Sequence, residues 1–369
     1  MHPKILLFLL CCFGLFIESQ AFNGEPMPQD STKEKRNSLS GFPIVYFTPE
    51  TDWAFGATGV YAFRFKGMSD ESRPSQVTLA GAYTLNKQVL LFIPFQLFWN
   101  EAKWNWFGEV GYYRYNYFYY GIGNDARAED EEIYDVNFPR LRLNAMHRIF
   151  PKAYGGLRYW YDGYDITGIK QDGLLDSNRP TGTEGGTISG LGPVFNYDSR
   201  DNIFAATEGH YIEAAALFSN SGIGSDFDYT KYTVDVRKFI ALGQSKKTVL
   251  ALNAYGEFSA GEVPFYQLGL LGGGKRMRGY LEGRFRDRQY ALVQAEYRFP
   301  LFWRLSAVVF AGTGGVGPQV GDIFSELRYS YGGGLRFLLN EEERINVRVD
   351  YGIGQQGNSG FYLTIGEAF

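Results

Sequence analysis

In the C-terminal third of the chain, apolar and charged residues alternate strictly, and this pattern limits the fold more than any other feature. The clearest segment places Ile345, Val347, Val349, Tyr351 and Ile353 on one face of an extended strand and Arg344, Asn346, Arg348 and Asp350 on the other. Segments 288–299 and 327–337 repeat this period of two. A polar face with several arginines and an aromatic, aliphatic face are typical of a membrane barrel, with lipid outside and a wet lumen inside.

The same alternation recurs along the chain between clusters of Gly, Asn, Asp and Pro, giving about sixteen candidate strands. Their centres lie near Val45, Val60, Leu79, Phe92, Val110, Leu141, Leu157, Val194, Ala214, Val234, Leu252, Val293, Val308, Leu335, Val347 and Leu363. At about ten residues for each spanning strand, this even number fits the length of the chain. We therefore expect an all-β fold, a transmembrane antiparallel β-barrel of sixteen strands. A soluble β-sandwich or propeller is the alternative.

Composition supports this class and argues against others. Aromatic residues make up 17% of the chain, which also has 46 glycines. Beyond the N-terminus, no apolar run reaches the length of about 18 residues that a spanning helix needs. The net charge of −4 gives no basis for nucleic-acid binding. We expect no cofactor, no metal and no enzymatic activity, although a Ser-His-Asp arrangement of residues distant in sequence stays open.

The N-terminal residues have the pattern of an export signal. A weakly positive start at Lys4 precedes an apolar core over residues 5–17, which is too short for a membrane anchor, and Ala21 fits a cleavage site. Cys11 and Cys12 would leave with this segment, so the mature chain would have neither a disulfide nor a cysteine metal site. The expected segments are a signal peptide at 1–21, a short disordered polar tail at 22–40 and the barrel at 41–369.

The connections between candidate strands sort into two kinds if the first strand starts on the periplasmic side. The periplasmic turns would be residues 67–75, 99–104, 150–152, 198–208, 241–246, 300–304 and 339–342. The extracellular loops would include residues 121–135, 168–186, 259–287 and 312–326. The long connections therefore lie on the outer side, as in bacterial outer-membrane barrels.

One of these long connections contains a basic, glycine-rich segment, residues 272–280, with three cations at Lys275, Arg276 and Arg278. Glycine permits backbone turns that other residues avoid, and the segment fits neither a strand nor a helix. We expect it to fold into the lumen, with a solvated loop as the alternative. A lumenal Arg278 needs a carboxylate, and Glu296, on the polar face of the next strand, is the candidate partner.

Three short motifs carry a family resemblance. They are Met277, Arg278, Gly279 and Tyr280 in the basic loop, residues 294–298 in the following strand, and Asp198, Arg200, Asp201, Asn202 and Gly209 in an earlier strand–turn–strand segment. The first resembles the hydrophobic-Arg-Gly-aromatic loop motif of the BamA/TamA superfamily of outer-membrane assembly and secretion barrels, also called bacterial surface antigen proteins. The other two resemble the twelfth-strand pattern and the strand–turn–strand signature of that family. The resemblance covers residues 41–369.

The C-terminal residues add to this resemblance. Phe361, Leu363 and Ile365 precede the final Phe369 with a spacing of two, interrupted by Glu367. A terminal aromatic residue behind such alternation resembles the signal that barrel-insertion machinery reads. A chance ending in Phe is the alternative.

The chain also departs from the family pattern at two places. In the family, the loop arginine can meet an Asp in a Phe-x-Asp-x-Gly stretch of the thirteenth strand, but here Gly312 stands at that place. This departure makes Glu296 the expected partner of Arg278. Family members that insert proteins usually carry periplasmic POTRA domains, and residues 22–40 are too few for one. We therefore expect a short form without them, served by a separate periplasmic partner.

The resemblance implies a function in outer-membrane protein assembly. We expect a BamA-like barrel in the outer membrane of a diderm bacterium, in contact with outer-membrane lipid. It would assist insertion or translocation of client outer-membrane proteins through a seam between residues 41–47 and 361–369. A passive pore or a structural barrel subunit of a larger complex is the alternative, since a polar lumen fits it equally well. An enzyme in the lumen is a third possibility without a supporting motif.

Overall fold

The computed structural model describes residues 37–69, 72–341 and 343–369. The predicted signal peptide and the predicted tail as far as Arg36 lie outside the described residues. The first strand begins at Asn37, so the expectation that residues 37–40 belong to a disordered tail is wrong. These residues pair with Tyr61, Ala62, Phe63 and Val60 of the next strand, which satisfies the backbone hydrogen bonds on that side of the strand.

Sixteen strands close into one antiparallel barrel, which confirms the predicted fold class and strand number. The barrel strands are β1 (Asn37–Thr48), β2 (Asp52–Phe63), β3 (Ser75–Thr84), β4 (Val89–Trp99), β5 (Trp104–Tyr119), β6 (Glu132–Phe150), β7 (Ala153–Gly168), β8 (Gly186–Asp198), β9 (Gly209–Ser219), β10 (Tyr229–Leu242), β11 (Thr248–Gly261), β14 (Gln289–Phe302), β15 (Leu305–Gly317), β16 (Arg328–Asn340), β17 (Ile345–Gly354) and β18 (Ser359–Ile365). Every predicted strand centre falls within one of them.

The connections contain short elements of their own. Two strands, β12 (Gly269–Leu271) and β13 (Phe285–Asp287), pair with each other inside the β11–β14 connection. The helical elements are α1 (Leu174–Asn178) and the 3₁₀ turns Ala128–Asp130, Ser221–Ile223, Phe265–Gln267 and Val320–Phe324. Within the described part of the chain, no helix has the length and apolarity to cross a membrane.

Alternation along the strands determines which side chains face the lumen. On β14, Val293 and Tyr297 are 54% and 42% exposed, whereas Glu296 between them is 0% exposed. Arg348 and Asp350 on β17 are likewise buried. The expected arrangement, an apolar outer wall around a polar, arginine-bearing interior, is confirmed.

The barrel has two ends that are distinguished by their connections. We call the end that joins β2 to β3, β4 to β5, β6 to β7, β8 to β9, β10 to β11, β14 to β15 and β16 to β17 the turn end, and the opposite end the loop end. The β11–β14 connection and the β7–β8 connection with α1 both belong to the loop end. Strands β1 and β18 meet at a junction that we call the seam.

Candidate functional site inside the barrel

Residues 272–284, between β12 and β13, fold into the lumen, and we call them the lumen loop. Gly272, Gly273 and Gly279 have φ values of +114°, +98° and +112°, a region that residues with a side chain rarely adopt. The amide of Gly273 donates to the carbonyl of Tyr280 at 2.9 Å and closes the base of the loop. The glycines in this segment thus allow the reversal that brings the basic residues inside.

The lumen loop lies against glycines of β17. A Cβ atom at Gly352 would come within 2.5 Å of the carbonyl carbon of Arg278, and one at Gly354 within 2.7 Å of the Tyr280 ring. From the other side, a Cβ atom at Gly279 would lie 2.7 Å from the carbonyl carbon of Ile353. Main chain and ring therefore pack directly on the strand, at positions where no side chain fits.

Arg278 lies at the centre of a buried group of charges. Its side chain is 1% exposed, and its guanidinium contacts the carboxylates of Glu296 on β14 and Asp350 on β17, both 0% exposed. The distance from Nη1 to Oδ2 of Asp350 is 2.5 Å. The guanidinium carbon also lies 3.6 Å from the ring centroid of Phe310, a cation–π contact. Two carboxylates and an aromatic face thus compensate the desolvation of this cation.

Three further arginines extend this group into a network. Arg298 donates to Glu296 at 2.8 Å, and Arg336 donates to Asp350 at 2.5 Å. Arg336 also donates to Glu367 at 2.8 Å. Arg348 lies 3.5 Å from Asp350. The network therefore connects β14, β16, β17 and the residues after β18 through shared carboxylates.

Hydrogen bonds fix the lumen loop to the same sector of the wall. The amide of Gly279 donates to the hydroxyl of Tyr362 on β18 at 3.1 Å. The hydroxyl of Tyr280 donates to the carbonyl of Tyr329 on β16 at 2.9 Å. Gln294 on β14 accepts from the amide of Met277 at 3.4 Å, and Met277 itself is 0% exposed. The loop therefore links strands β14 to β18 from the inside.

The second carboxylate of the network, Asp350, was not among the predicted partners of Arg278. Gly312 stands where the family pattern places an Asp, and a Cβ atom there would lie 3.0 Å from Cβ of Gln294 and 3.2 Å from Sδ of Met277. A side chain at position 312 would displace these neighbours, and Asp350 on β17 supplies the carboxylate instead. The alternation of β17 already placed Asp350 on the polar face, but only the barrel register brings it to Arg278.

The strand–turn–strand motif forms a hydrogen-bonded turn at residues 199–208. Asp198 accepts from Nε and Nη2 of Arg200 at 2.9 and 2.8 Å. Asn202 accepts from the amides at positions 204 and 205, both at 2.8 Å, as in an Asx-turn. Gly209 has a φ of +108°, and a Cβ atom there would lie 2.4 Å from the carbonyl oxygen of Ser199. The motif residues thus stabilise the turn itself.

Asp201 joins this turn to the opposite side of the barrel. Its carboxylate accepts from the amide and hydroxyl of Thr207 at 2.8 and 2.7 Å and from Arg344 of the β16–β17 turn at 2.6 Å. Partial burial opposes ionisation, but these bonds and one from the amide of Glu208 lower the pKa of Asp201 to about 2. Among the described residues, no group of His, Cys, Asp and Glu is arranged to hold a metal ion.

The C-terminal residues depart from the expected alternation. Phe361 and Ile365 are 41% and 52% exposed on the outer face, and Leu363 is 8% exposed beside β1. The strand ends at Ile365, and Gly366 has a φ of +86°. Phe369 consequently does not continue the outer face. It packs in a buried cluster with Ala206, Phe239, Val249, Ala251 and Ala368.

The turn and the C-terminal residues meet in one buried cluster at the turn end. Ala206 of the turn shares the cluster with Phe369, although β9 and β18 are separated by other strands in the barrel order. The main-chain oxygen of Phe369 accepts from Arg298 at 3.1 Å. We call residues 199–208 and 366–369 the floor. No local sequence pattern predicts this contact, because it joins segments distant along the chain.

The seam is the least paired junction of the barrel. Phe47 and Leu363 form the one register pair of β1 with β18 within the described chain. The other neighbouring strands share at least six pairs, as in β3–β4, and up to sixteen in β5–β6. Because the two strands are antiparallel and Phe47 lies opposite Leu363, most of β1 extends past the end of β18. The outer edge of β1 over residues 37–44 therefore lies beyond the end of β18 and has no partner there.

Comparisons with known proteins agree with this architecture. The chain is similar to BamA from Haemophilus ducreyi lacking POTRA domains 1-3, with a TM-score of 0.63 and 15% identity over 90% of this chain and 70% of that one. It is also similar to CdiB from Acinetobacter baumannii (TM-score 0.58, 14% identity, 89% of this chain and 59% of that one). CdiB from Escherichia coli is similar as well, with a TM-score of 0.59 and 10% identity over 90% of this chain and 63% of that one. No curated protein sequence gives a significant match to this chain.

The structural likenesses show the fold, since the identities are low. The chain spans less than two thirds of either CdiB chain. The Omp85 superfamily domain matches residues 93–369, which include the lumen loop, the network and the floor. The resemblance to BamA/TamA-type barrels is thereby confirmed, and it indicates a bacterial outer-membrane barrel. The chain belongs to the Omp85 superfamily.

Proposed function

We propose that this barrel assists the insertion or translocation of outer-membrane proteins through the seam between β1 and β18. The observation that carries the proposal is the single register pair, Phe47 with Leu363, at that junction. An edge strand presents unpaired amide and carbonyl groups, which pair readily with another extended segment. The outer edge of β1 over residues 37–44 is such an edge, and a client strand would pair with it.

The interior supports a wall that opens on one side only. If β18 separates from β1, Arg278 with Glu296 and Asp350 still holds β14 and β17 together from the lumen. Tyr362 keeps β18 attached to the lumen loop through the amide of Gly279. The motif residues Met277 to Tyr280 and Glu296 thus act as a brace and do not contact the client.

The cellular setting follows from the same proposal. The chain would be exported by the signal peptide at residues 1–21 and would reside in the outer membrane of a diderm bacterium. Its turn end would face the periplasm and its loop end the exterior. Membership of the Omp85 superfamily supports client outer-membrane proteins as partners. A separate periplasmic protein would deliver them.

A passive pore or a structural barrel subunit is the second candidate, and the polar, arginine-bearing lumen favours it. A pore needs a continuous water path, whereas the lumen loop and the floor occupy the interior. Conductance across a planar bilayer separates the two functions. We expect small, intermittent currents from an insertion barrel, and a large, steady conductance would favour the pore.

Depletion of the protein followed by quantitative outer-membrane proteomics tests the proposal. We expect several other barrel proteins to fall in abundance, and wild-type protein to restore them. Arg278→Ala should restore them poorly, while the matched control Arg304→Ala, on the exposed β14–β15 turn, should act like wild type. A difference in gel migration between unheated and heated samples, equal to that of wild type, verifies that each variant is folded. An unchanged proteome after depletion would contradict an assembly function.

A further inference from the structure

Four cationic side chains face one region of the lumen beside the lumen loop. Lys275 and Arg276 belong to the loop, Arg237 to β10 and Arg348 to β17. The carbonyl of Lys275 accepts from Gln294 on the inner face of β14 at 3.0 Å, which places this part of the loop inside the wall. Lys275 is accessible from the lumen, although the barrel encloses it.

These cations are close enough to act on one another. Enclosure within the lumen lowers the pKa of Lys275, and the guanidiniums of Arg276, Arg237 and Arg348 lower it further. Gly274 lies beside the same group, since a Cβ atom there would be 4.0 Å from Nη2 of Arg348. Like charges that gather in an enclosed space repel one another unless an anion compensates them.

The described carboxylates compensate this group incompletely. Arg237 pairs with Asp235 at 2.6 Å, but no described carboxylate lies within 4.0 Å of Lys275 or Arg276. Arg276 instead stacks on Tyr255, with its guanidinium carbon 3.2 Å from the ring centroid. The group therefore holds two cations without an ion-pair partner.

Arg348 contributes a buried donor that is incompletely satisfied, on the side of its guanidinium nearest Asp350. Its side chain is 3% exposed, and Nη1 has no hydrogen-bond partner among the described residues. The nearest carboxylate, Asp350 at 3.5 Å, already accepts from Arg278 and Arg336 at 2.5 Å. A buried donor without an acceptor costs free energy, which a bound acceptor would recover.

Burial opposes the charge of Arg276, but Tyr255, Tyr290, Glu257 and Asp235 raise its pKa from a distance, so Arg276 stays charged although no described carboxylate pairs with it. The acidic groups at the loop end add little to this compensation. The amide of Glu282 donates to the carboxylate of Glu50 at 2.9 Å, so both lie near each other at the loop end. Enclosure and the charge of Glu50 raise the pKa of Glu282 to about 7. A large part of the Glu282 population is therefore neutral at physiological pH, and it compensates the cations only partly.

We propose that Lys275, Arg276, Arg237 and Arg348 form a binding site for a phosphate group. A phosphate offers several acceptor oxygens and one to two negative charges, which match a lysine ammonium together with guanidinium groups. The group is carried either by a lipid headgroup, which could reach the lumen by way of the seam, or by free inorganic phosphate. The site is independent of the proposed assembly function, because it rests on the lumen charges alone.

Binding to the purified full barrel in phosphate-free maltoside micelles tests this site. Isothermal titration would use inorganic phosphate in one arm and short-chain phosphatidylglycerol in the other, at constant ionic strength. Lys275→Met should weaken binding at least tenfold without loss of folding, because Lys275 has no ion pair to lose. Lys247→Met, on the exposed β10–β11 turn, is the matched control and should bind like wild type.

The outcomes separate the ligand sources and can refute the site. Tighter binding of the lipid identifies a lipid phosphate, and tighter binding of inorganic phosphate identifies the free anion. Absence of binding of both probes at millimolar concentration would overturn the proposal. Equal binding by wild type and Lys275→Met would overturn it as well, since the anion would then lie elsewhere.

Discussion

The last strands of the barrel are held from two sides, and the two attachments differ greatly. At the wall, β18 meets β1 through one register pair, Phe47 with Leu363. On the inside, the lumen loop joins β14, β16, β17 and β18 by buried ion pairs and hydrogen bonds around Arg278. The same sector is therefore loosely closed at the wall and firmly fixed within.

This difference indicates where the barrel can open. Main-chain pairing normally holds neighbouring strands, and each further pair adds hydrogen bonds and side-chain contacts. The β5–β6 junction, with sixteen register pairs, can separate only at a large cost. Separation of the seam breaks few main-chain hydrogen bonds. The lumen loop then keeps β14 to β18 in place. Weak closure and a strong brace are thus complementary parts of one arrangement.

Removing the brace should have the largest effect. Arg278→Ala leaves Glu296 and Asp350 buried with fewer cations, although each retains another arginine. We expect a loss of about 3 kcal/mol in the free energy of unfolding, the lower end of the range for a broken buried ion pair. Urea unfolding in lipid vesicles, followed by tryptophan fluorescence, measures it. Arg304→Ala should cost less than about 1 kcal/mol, because its ion pair with Glu341 is exposed. Equal losses would contradict a buried brace.

The close approach of the lumen loop to β17 gives a second, smaller prediction. Gly279→Ala puts a side chain at a φ of +112° and 2.7 Å from the carbonyl carbon of Ile353. We expect a loss of about 2 kcal/mol in the free energy of unfolding. Gly224→Ala is the matched control, since its φ is +87° and a Cβ atom there meets no atom within 4 Å. If both variants lose the same stability, backbone strain alone acts and the packing of loop on strand does not matter.

Of the three features, the floor should contribute least to the free energy of unfolding, and its contribution should depend on pH. The pKa of Asp201 is lowered to about 2, so its contribution is complete above the unfolded value of about 3.9 and is lost as pH falls towards 2. Because the side chain is partly exposed, Asp201→Asn should cost about 1 kcal/mol or less at pH 7. Unfolding at a series of pH values should show the difference from wild type shrinking as the pH falls from about 4 to about 2. A constant difference would contradict the ionic origin of the contribution.

Much of the fold could be predicted from local sequence patterns. A strand reveals itself by a period of two within about ten residues, and a barrel strand also by arginines opposite aromatics. Sequence alone also placed Glu296 near Arg278, because the lumen loop and β14 follow one another along the chain.

Contacts between distant segments could not be predicted in this way. Asp350 was already on the polar face of its strand, but its meeting with Arg278 depends on the register of the closed barrel. The inward turn of Phe369 depends on the positive φ of Gly366 and on an apolar cluster supplied by β10 and β11. The link from Asp201 to Arg344 likewise joins two turns that only barrel closure brings together.

The most direct test of the central claim is a disulfide across the seam. Phe47→Cys with Leu363→Cys places two thiols at a register pair, where Cα spacing suits a disulfide, and Val110→Cys with Leu141→Cys does the same at β5–β6 as the control. The measurement is the outer-membrane proteome of depleted cells that express each variant, oxidised or reduced. We predict that the oxidised seam variant fails to restore the lost barrels, that its reduced form restores them, and that the control restores them in both states. Full restoration by the oxidised seam variant would contradict opening at β1 and β18.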